Sequence, residues 1–435
     1  MSFAVSSART ELAPPYAWMG GYGASPTPVR SATGTYSPLQ ARAVVLWDSG
    51  TPRVVVSVDV VGLSSTVDTQ VRATAAGTVA DADLMLLATH THTGPVAGGL
   101  DPYITYGLTP PDESWLVDAI VAVVDDALAA TPVPVTLDYQ VTSQAGSRNR
   151  AGLSYVESAV PVLVARGADG MPVAVLYSWG CHPVAAGPRT LWDGDYPGAA
   201  SAVIEAAIPG SIALFVPGPA GDQDPVGTRG WPLRCRLGAQ LGAAVVTAAT
   251  TPGRTLSGTI QTRRDIVQLP LDVTLTPVNL AAVRAGYAAR EVDAPRVDWE
   301  QRHGEVWVDR IDAGDVPTTV PASIQAWKIP GSPMLRIAMV GGELVSGYAV
   351  YERGRYGGTN GLLIGGYASP CNCYIPSNEL LPPVRTTGSY EGGWNATEPG
   401  LAGGSQCPYG HVGHFRAGPG GVESVMLAAL DAVLA

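Results

Sequence analysis

Six histidines occur in 435 residues, and two of them, His90 and His92, sit together in the run Thr89 to Pro95. An apolar stretch, Leu84 to Ala88, leads into them and reads as a buried strand. If that strand continues through His92, the alternation of side chains puts both imidazoles on one face at its carboxyl end. Gly94-Pro95 then turns the chain into a loop. Two neutral imidazoles so placed are ligands for a divalent metal, usually zinc. A pair of hydrogen-bonded side chains at a strand edge is the bland alternative, so further ligands are needed.

Further candidates follow other apolar runs. Pro172 to Trp179 reads as a strand and leads into Gly180-Cys181-His182-Pro183. Ile212 to Val216 leads into a loop holding Asp222 and Asp224, and Met334 to Val340 leads into Gly341-Gly342-Glu343. His90, His182, Asp222 and Glu343 therefore each lie beyond the carboxyl end of a predicted strand. Ligands bind outside those ends in layered α/β sheets. Two histidines and a glutamate from separate strands would make a catalytic zinc set with a position open for water; ordinary polar loop residues are the other reading. Asp59, inside an apolar strand, must be paired; it is either a partner that orients a histidine or a capping acid. His303 falls in a polar stretch and is expected at the surface. Cys371-Asn372-Cys373 is a weak metal signal and reads as unpaired thiols.

The elements that position these residues alternate. Strands are predicted over Leu39–Trp47, Val54–Val60, Leu84–Ala88, Pro161–Arg166, Pro172–Trp179, Ile212–Val216, Met334–Val340 and Leu362–Tyr367, with Thr255–Val273 as paired strands. Helices are predicted over Ser64–Gly77, Trp115–Ala130, Arg234–Ala249, Val278–Arg290, Glu343–Arg355 and Val422–Leu434, and from Asp195 as N-cap through Ala207. Residues 10–25, dense in glycine, are expected to be irregular, and 292–315 shows no clear period. The fold class is mixed α/β: layered sheets flanked by helices, with a metal site at strand carboxyl ends. No repeat or linker divides the chain, so residues 1–435 are expected to form one domain.

Hydrophobic residues at 46% can fill a sizeable core, and a net charge of −11 argues against nucleic acid or an anionic membrane as partner. No apolar run reaches the ~18 residues of a membrane span. A secretory leader is not visible at the N-terminus. Five sparse cysteines fit a reducing compartment, so the expected location is cytoplasmic and the expected partner a small-molecule substrate.

The run Ala88 to Pro95, ATHTHTGP, resembles the A/GTHTHSGP signature of the neutral (non-lysosomal) ceramidases. Other pieces agree in order: Met19 to Gly23 with an MMGYA-like segment, Asn149-Arg150 with the NR of INRSP, and Ser178 to Pro183 with WFAVHG. Gly194 to Ser201 is similar to GDNKGYAS, and Phe215-Val216 with Gly221 to Pro225 to FVQ…GDVSPN. Gly342-Glu343 resembles PGE, and Tyr374-Ile375 with Tyr390-Glu391-Gly392 resembles YVTT…YEG. The resemblance spans roughly residues 15–395, the family's catalytic domain, with no counterpart expected for its C-terminal immunoglobulin-like domain.

The resemblance implies a zinc hydrolase of N-acyl bonds. Its zinc ligands carry over to His90, His182, Glu343 and Tyr374. His92 would stand at the scissile carbonyl and stabilise the oxyanion, Arg150 would line the substrate pocket, and Tyr390 and Glu391 would bind substrate. The family's serine in GDVSPN is Asp224 here, so a serine-dependent step does not transfer; Asp222 or Asp224 would handle protons. With three phenylalanines in the chain, an aromatic lipid tunnel is not expected. A hydrolase acting on a glycoside or an acylated sugar or amine is the variant reading. A non-catalytic metal- or carbohydrate-binding protein is the reading from another class.

Overall fold

The computed structural model describes residues 3–22 and 29–435. The first part of the chain builds one large sheet from β1 (Phe3–Glu11), β2 (Gln40–Asp48), β3 (Thr51–Val58), β4 (Leu84–Ala88), β5 (Val133–Ser143), β6 (Ala159–Arg166), β7 (Pro172–Trp179), β8 (Ile212–Pro217) and β9 (Arg254–Leu256). Their order is β8-β7-β6-β5-β1-β2-β3-β4, with β9 added beside β5. The second part builds a smaller sheet, β10 (Gln261–Pro270), β11 (Thr319–Ile329), β12 (Leu335–Val340) and β13 (Leu362–Gly365), in that order.

Residue alternation shows why the strands are apolar on both sides. In β4, Leu84, Leu86 and Ala88 pack outward with helices α1 (Ser65–Ala75) and α3 (Ser114–Ala129), whereas Met85 and Leu87 face the second sheet. In β12, Ile337 and Met339 share that inter-sheet core while Ala338 and Val340 face the opposite side. The result is four layers. Helices α1 and α3, with α4 (Asp195–Ala207) and α5 (Trp231–Thr250), cover the large sheet. On the smaller sheet lie α8 (Ser346–Arg355), α9 (Val422–Leu434) and the pair α6 (Pro277–Glu291) and α7 (Asp298–Asp312). A short helix, α2 (Pro102–Tyr106), caps a loop with Asp101 accepting from the Ile104 amide. The large sheet curls until Ser57 of β3 donates its hydroxyl to the carbonyl of Phe215 in β8, 2.8 Å away.

Most neighbours are antiparallel, but β3–β4, β7–β8 and β12–β13 are parallel pairs. Parallel neighbours need crossover connections. Here α1, α4 and α8 supply them, so the three pairs send loops beyond the same kind of strand end.

Several sequence expectations are corrected. Thr255–Val273 is not a hairpin: β9 pairs with β5 and β10 with β11. Residues 292–315 contain α7, and His303 is buried rather than exposed. Its Nε2 faces the carbonyl of His411 at 2.9 Å and its Nδ1 faces Arg290 at 3.2 Å. Residues 10–25 begin inside β1, and Met19 bridges to Pro95; Gly23, the last residue of the MGGYG motif, lies outside the described residues. Helix α8 begins at Ser346, because Glu343-Leu344 pairs as a short strand with Tyr374-Ile375, which had read as loop. Asp195 is not an N-cap. It is the first helical residue, at φ +51°, and its carboxylate accepts from the Ala185, Ala186 and Tyr196 amides. All five cysteines are free thiols. Among the described residues no helix is long and apolar enough to cross a membrane.

Candidate metal centre and substrate cavity

His90 lies two residues past β4, His182 three past β7 and Glu343 three past β12. His90 reaches the centre by a backbone turn, not by strand alternation. The strand ends at Ala88, the amides of Thr89 and His90 bond to the carbonyls of Val58 and Val60, and His90 takes φ +66°. A non-glycine residue in the left-handed region is strained, and such residues concentrate at working sites. Tyr367, whose ring lies 4.4 Å from that of His90, shares the feature at φ +63°.

The turn brings three imidazoles together. His90 Nε2 is 2.9 Å from His182 Nε2 and 3.1 Å from His92 Nε2. A Glu343 carboxylate oxygen stands 3.3 Å from His90 Nε2 and 3.7 Å from His182 Nε2. The opposite ring nitrogens fix the tautomers. His90 Nδ1 faces the Val61 carbonyl at 2.5 Å and His182 Nδ1 that of Ala220 at 3.1 Å, so each must carry the hydrogen there. Burial first, then neighbouring cations and imidazoles, pushes His182 and His92 well below the ordinary histidine pKa. His90 and His182, with Nδ1 of each committed to a backbone carbonyl, turn their Nε2 atoms toward one another and toward Nε2 of His92, an arrangement suited to a cation between them. His90, His92 and His182 form a set able to hold a metal.

Around this core, other side chains fix the acid. Tyr409 donates to one oxygen of Glu343 at 2.7 Å and Tyr367 to the other at 3.3 Å. Burial raises the Glu343 pKa, but the neighbouring His90 and hydrogen bonds from Tyr409 and Tyr374 outweigh it, so the carboxyl is held below its usual range. Tyr374 sits opposite Glu343 in the two-residue ribbon and accepts from Arg150 Nη2 at 2.8 Å. Arg150 also donates to Glu391 at 2.8 Å and to the Gly221 carbonyl at 2.9 Å, and lies over the Tyr390 ring at 5.4 Å. Gly21 is needed where it stands: at φ +81°, a Cβ would meet the His92 Cα at 2.7 Å.

These residues open into a cavity of about 840 Å³, within the ~300–1,000 Å³ range of small-molecule sites. His90, His92, His182, Glu343, Tyr374, Arg150, Tyr390 and Glu391 all line it. Asp222 and Asp224 do not, which revises their expected part in proton transfer. Asp222 is fully buried and accepts from Asn149, the Ser346 hydroxyl and the Ser346 amide at 2.7–2.8 Å, tying a loop to the start of α8. Asp224 is bound by Arg229 at 2.9 Å, with Arg148 and Arg150 at 3.4 and 3.6 Å. Asp59 braces the strand end by accepting from Thr89 Oγ1 at 3.0 Å and touches no imidazole. Cys371 and Cys373 are buried outside the metal set.

Comparison with known proteins falls in line with this geometry. Neutral ceramidase from Pseudomonas aeruginosa superposes with a TM-score of 0.68 over 100% of this chain and 75% of its own, at 19% identity. The chain has a neutral-ceramidase-like fold. A ceramidase complexed with C2 superposes equally well, at 0.68 over 100% and 76% of the two chains and 18% identity. No protein-family model and no curated protein sequence matches the chain. At these identities the likeness is one of fold. Within the ceramidase-like fold, sequence reasoning passed over Tyr367 and Tyr409, since a lone tyrosine carries no ligand signal. Tyr409 lies in a glycine-rich segment that the sequence pattern leaves structureless.

Proposed function

We propose that the chain is a zinc-dependent hydrolase of the neutral-ceramidase type that cleaves an amide bond, with residues 1–435 acting as one catalytic domain. The observation that carries this reading is the facing pair of Nε2 lone pairs, 2.9 Å apart, with a carboxylate at 3.3 Å. His90, His182 and Glu343 suit zinc in ligand type and number, with Tyr374 beside them and a side open to the cavity. Bound there, zinc would polarise the scissile carbonyl and lower the pKa of water toward ~7.

The chain's own residues supply the rest. The carbonyls of Val61 and Ala220 hold the His90 and His182 rings in the ligating tautomer. Tyr409 and Tyr367 hold the Glu343 carboxylate in place. His92 lines the cavity beside His90 and His182, which suits it to stabilise the developing oxyanion. Arg150 positions Tyr374 and Glu391 along the substrate wall. The free thiols support a cytoplasmic site of action.

The test is metal analysis of the purified chain followed by a screen of N-acyl amides, esters and aryl glycosides. One zinc per chain and amide cleavage are expected, and His90→Ala should lose both. Full turnover by a zinc-free His90→Ala protein ends this reading. Turnover of aryl glycosides alone would replace the amide with a polar glycoside, and zinc without any turnover would favour a binding protein.

A further inference from the structure

The charges that line the cavity do not balance. Arg150 is neutralised by Glu391 and Arg229 by Asp224. Arg385, which lines the same cavity, has no carboxylate partner among the described residues. It is nevertheless held firmly. Nε donates to the Gly388 carbonyl at 2.8 Å and Nη1 to the Ala151 carbonyl at 2.9 Å. Ala151 directly follows Arg150, so Arg385 is fastened to the wall that carries the Arg150, Glu391 and Tyr374 group. Two backbone carbonyls thus fix the guanidinium plane, and among the described residues Nη2 has no partner, leaving it to donate to an oxygen of a ligand. Hydroxyls of Thr387 and Ser389 line the cavity from the same loop; its aliphatic lining is limited to Val61, Leu100, Ala151 and Val184, and, contrary to the expectation drawn from three phenylalanines, its apolar wall is aromatic, with Tyr22, Trp299, Trp394 and Tyr409.

We propose that Arg385 anchors a carboxylate on the substrate, so that the compound hydrolysed is an N-acylated amino acid or similar amide acid rather than a neutral lipid amide. One unpaired cation matches one negative charge. The inference rests on the amide-hydrolase reading above and narrows its substrate class. Water adds its oxygen to the acyl carbon, the C–N bond breaks, and the amine leaves with the proton; no other co-reactant is required.

The experiment compares N-hexanoylglycine with its primary amide, using the full zinc-loaded chain. Wild type should favour the acid by roughly 10- to 100-fold in kcat/KM, through KM. Arg385→Ala should abolish that preference and Arg385→Lys should retain part of it; a thermal melt checks that both variants fold. If Arg385 only clasped two carbonyls, its loss would not change the ratio between acid and amide. A second readout is calorimetric binding of the two compounds to the metal-stripped chain. Binding of the acid alone, lost in Arg385→Ala, supports the anchor even if no compound is turned over, a result that would remove the hydrolase reading instead. Equal handling of acid and amide by wild type, or an undiminished preference in Arg385→Ala, overturns the proposal.

Discussion

Tyr409 places its hydroxyl 2.7 Å from Glu343, yet nothing in its sequence neighbourhood marks it. The hydroxyl acts through the acid: it keeps the carboxylate oriented while the other oxygen faces His90 and His182. Partners of this kind are typically worth about 10–100-fold in metal affinity. Tyr409→Phe should therefore keep the fold, weaken zinc binding by roughly that factor and lower activity at limiting zinc, with recovery at excess zinc; competition against a chelator measures it. Unchanged affinity would reduce Tyr409 to packing. The histidines and Glu343 were legible because glycine and proline follow apolar runs beside them. Their convergence was not, because it depends on the left-handed turn at His90 and on pairing between residues far apart in the chain.

At the scale of elements, the three parallel pairs decide where the loops go, and close contact between the sheets decides how near they come. Gly365, in β13, shows how tight that is: a Cβ there would lie 1.8 Å from the Pro217 carbonyl at the end of β8. Backbone stands on both sides, so Gly365→Ala must separate the sheets. Overpacking typically costs about 1–3 kcal/mol, and here the loss should include zinc binding, read as a lower melting temperature together with reduced metal content. A stable, fully zinc-loaded Gly365→Ala protein would show that the sheets can move apart without disturbing the centre. A second test lies where α8 meets α9. Burial, reinforced by Asp431 and opposed by Arg355, raises the Glu352 pKa from its ordinary 4.5 to about 7, and neither oxygen has a hydrogen-bond partner. The folded chain thus keeps this proton to higher pH than the unfolded chain, so stability falls as pH rises from about 4.5 to about 7. Glu352→Gln should gain about 1–2 kcal/mol at pH 8 and nothing at pH 4, the shift being discounted for water near the exposed Arg355. Continuous apolar runs bounded by glycine, proline or acids made β4, β7, β8 and β12 readable from sequence. Strand β11 was hidden by Pro321 and the buried Gln325, whose amide donates to the Ala82 carbonyl, and α7 by its many charges.

Across the whole molecule, the candidate ligands belong to different layers. His90 and His182 extend from the large sheet and Glu343 from the smaller one, so a metal held by all three would join the two sheets at one edge of their shared core. Binding to the folded chain alone stabilises it by RT ln(1 + [L]/Kd), about 4 kcal/mol when free zinc stands at a thousand times Kd. The melting temperature of wild type should therefore rise by several degrees with zinc and fall when a chelator strips it. His90→Ala should show no zinc-dependent shift, whereas Glu352→Gln, which is remote from the centre, should keep the full shift. Contributions from both sheets also make a more particular demand. Glu343→Gln leaves the two histidines of the large sheet in place, so residual zinc could still bind, but it would no longer reach across. Its zinc-dependent stabilisation should shrink to the value its weaker zinc affinity gives, and hydrogen exchange in β12 and β13 should stop responding to zinc. A Glu343→Gln protein whose second sheet is still protected by zinc would place the metal within the large sheet alone, on His90, His92 and His182.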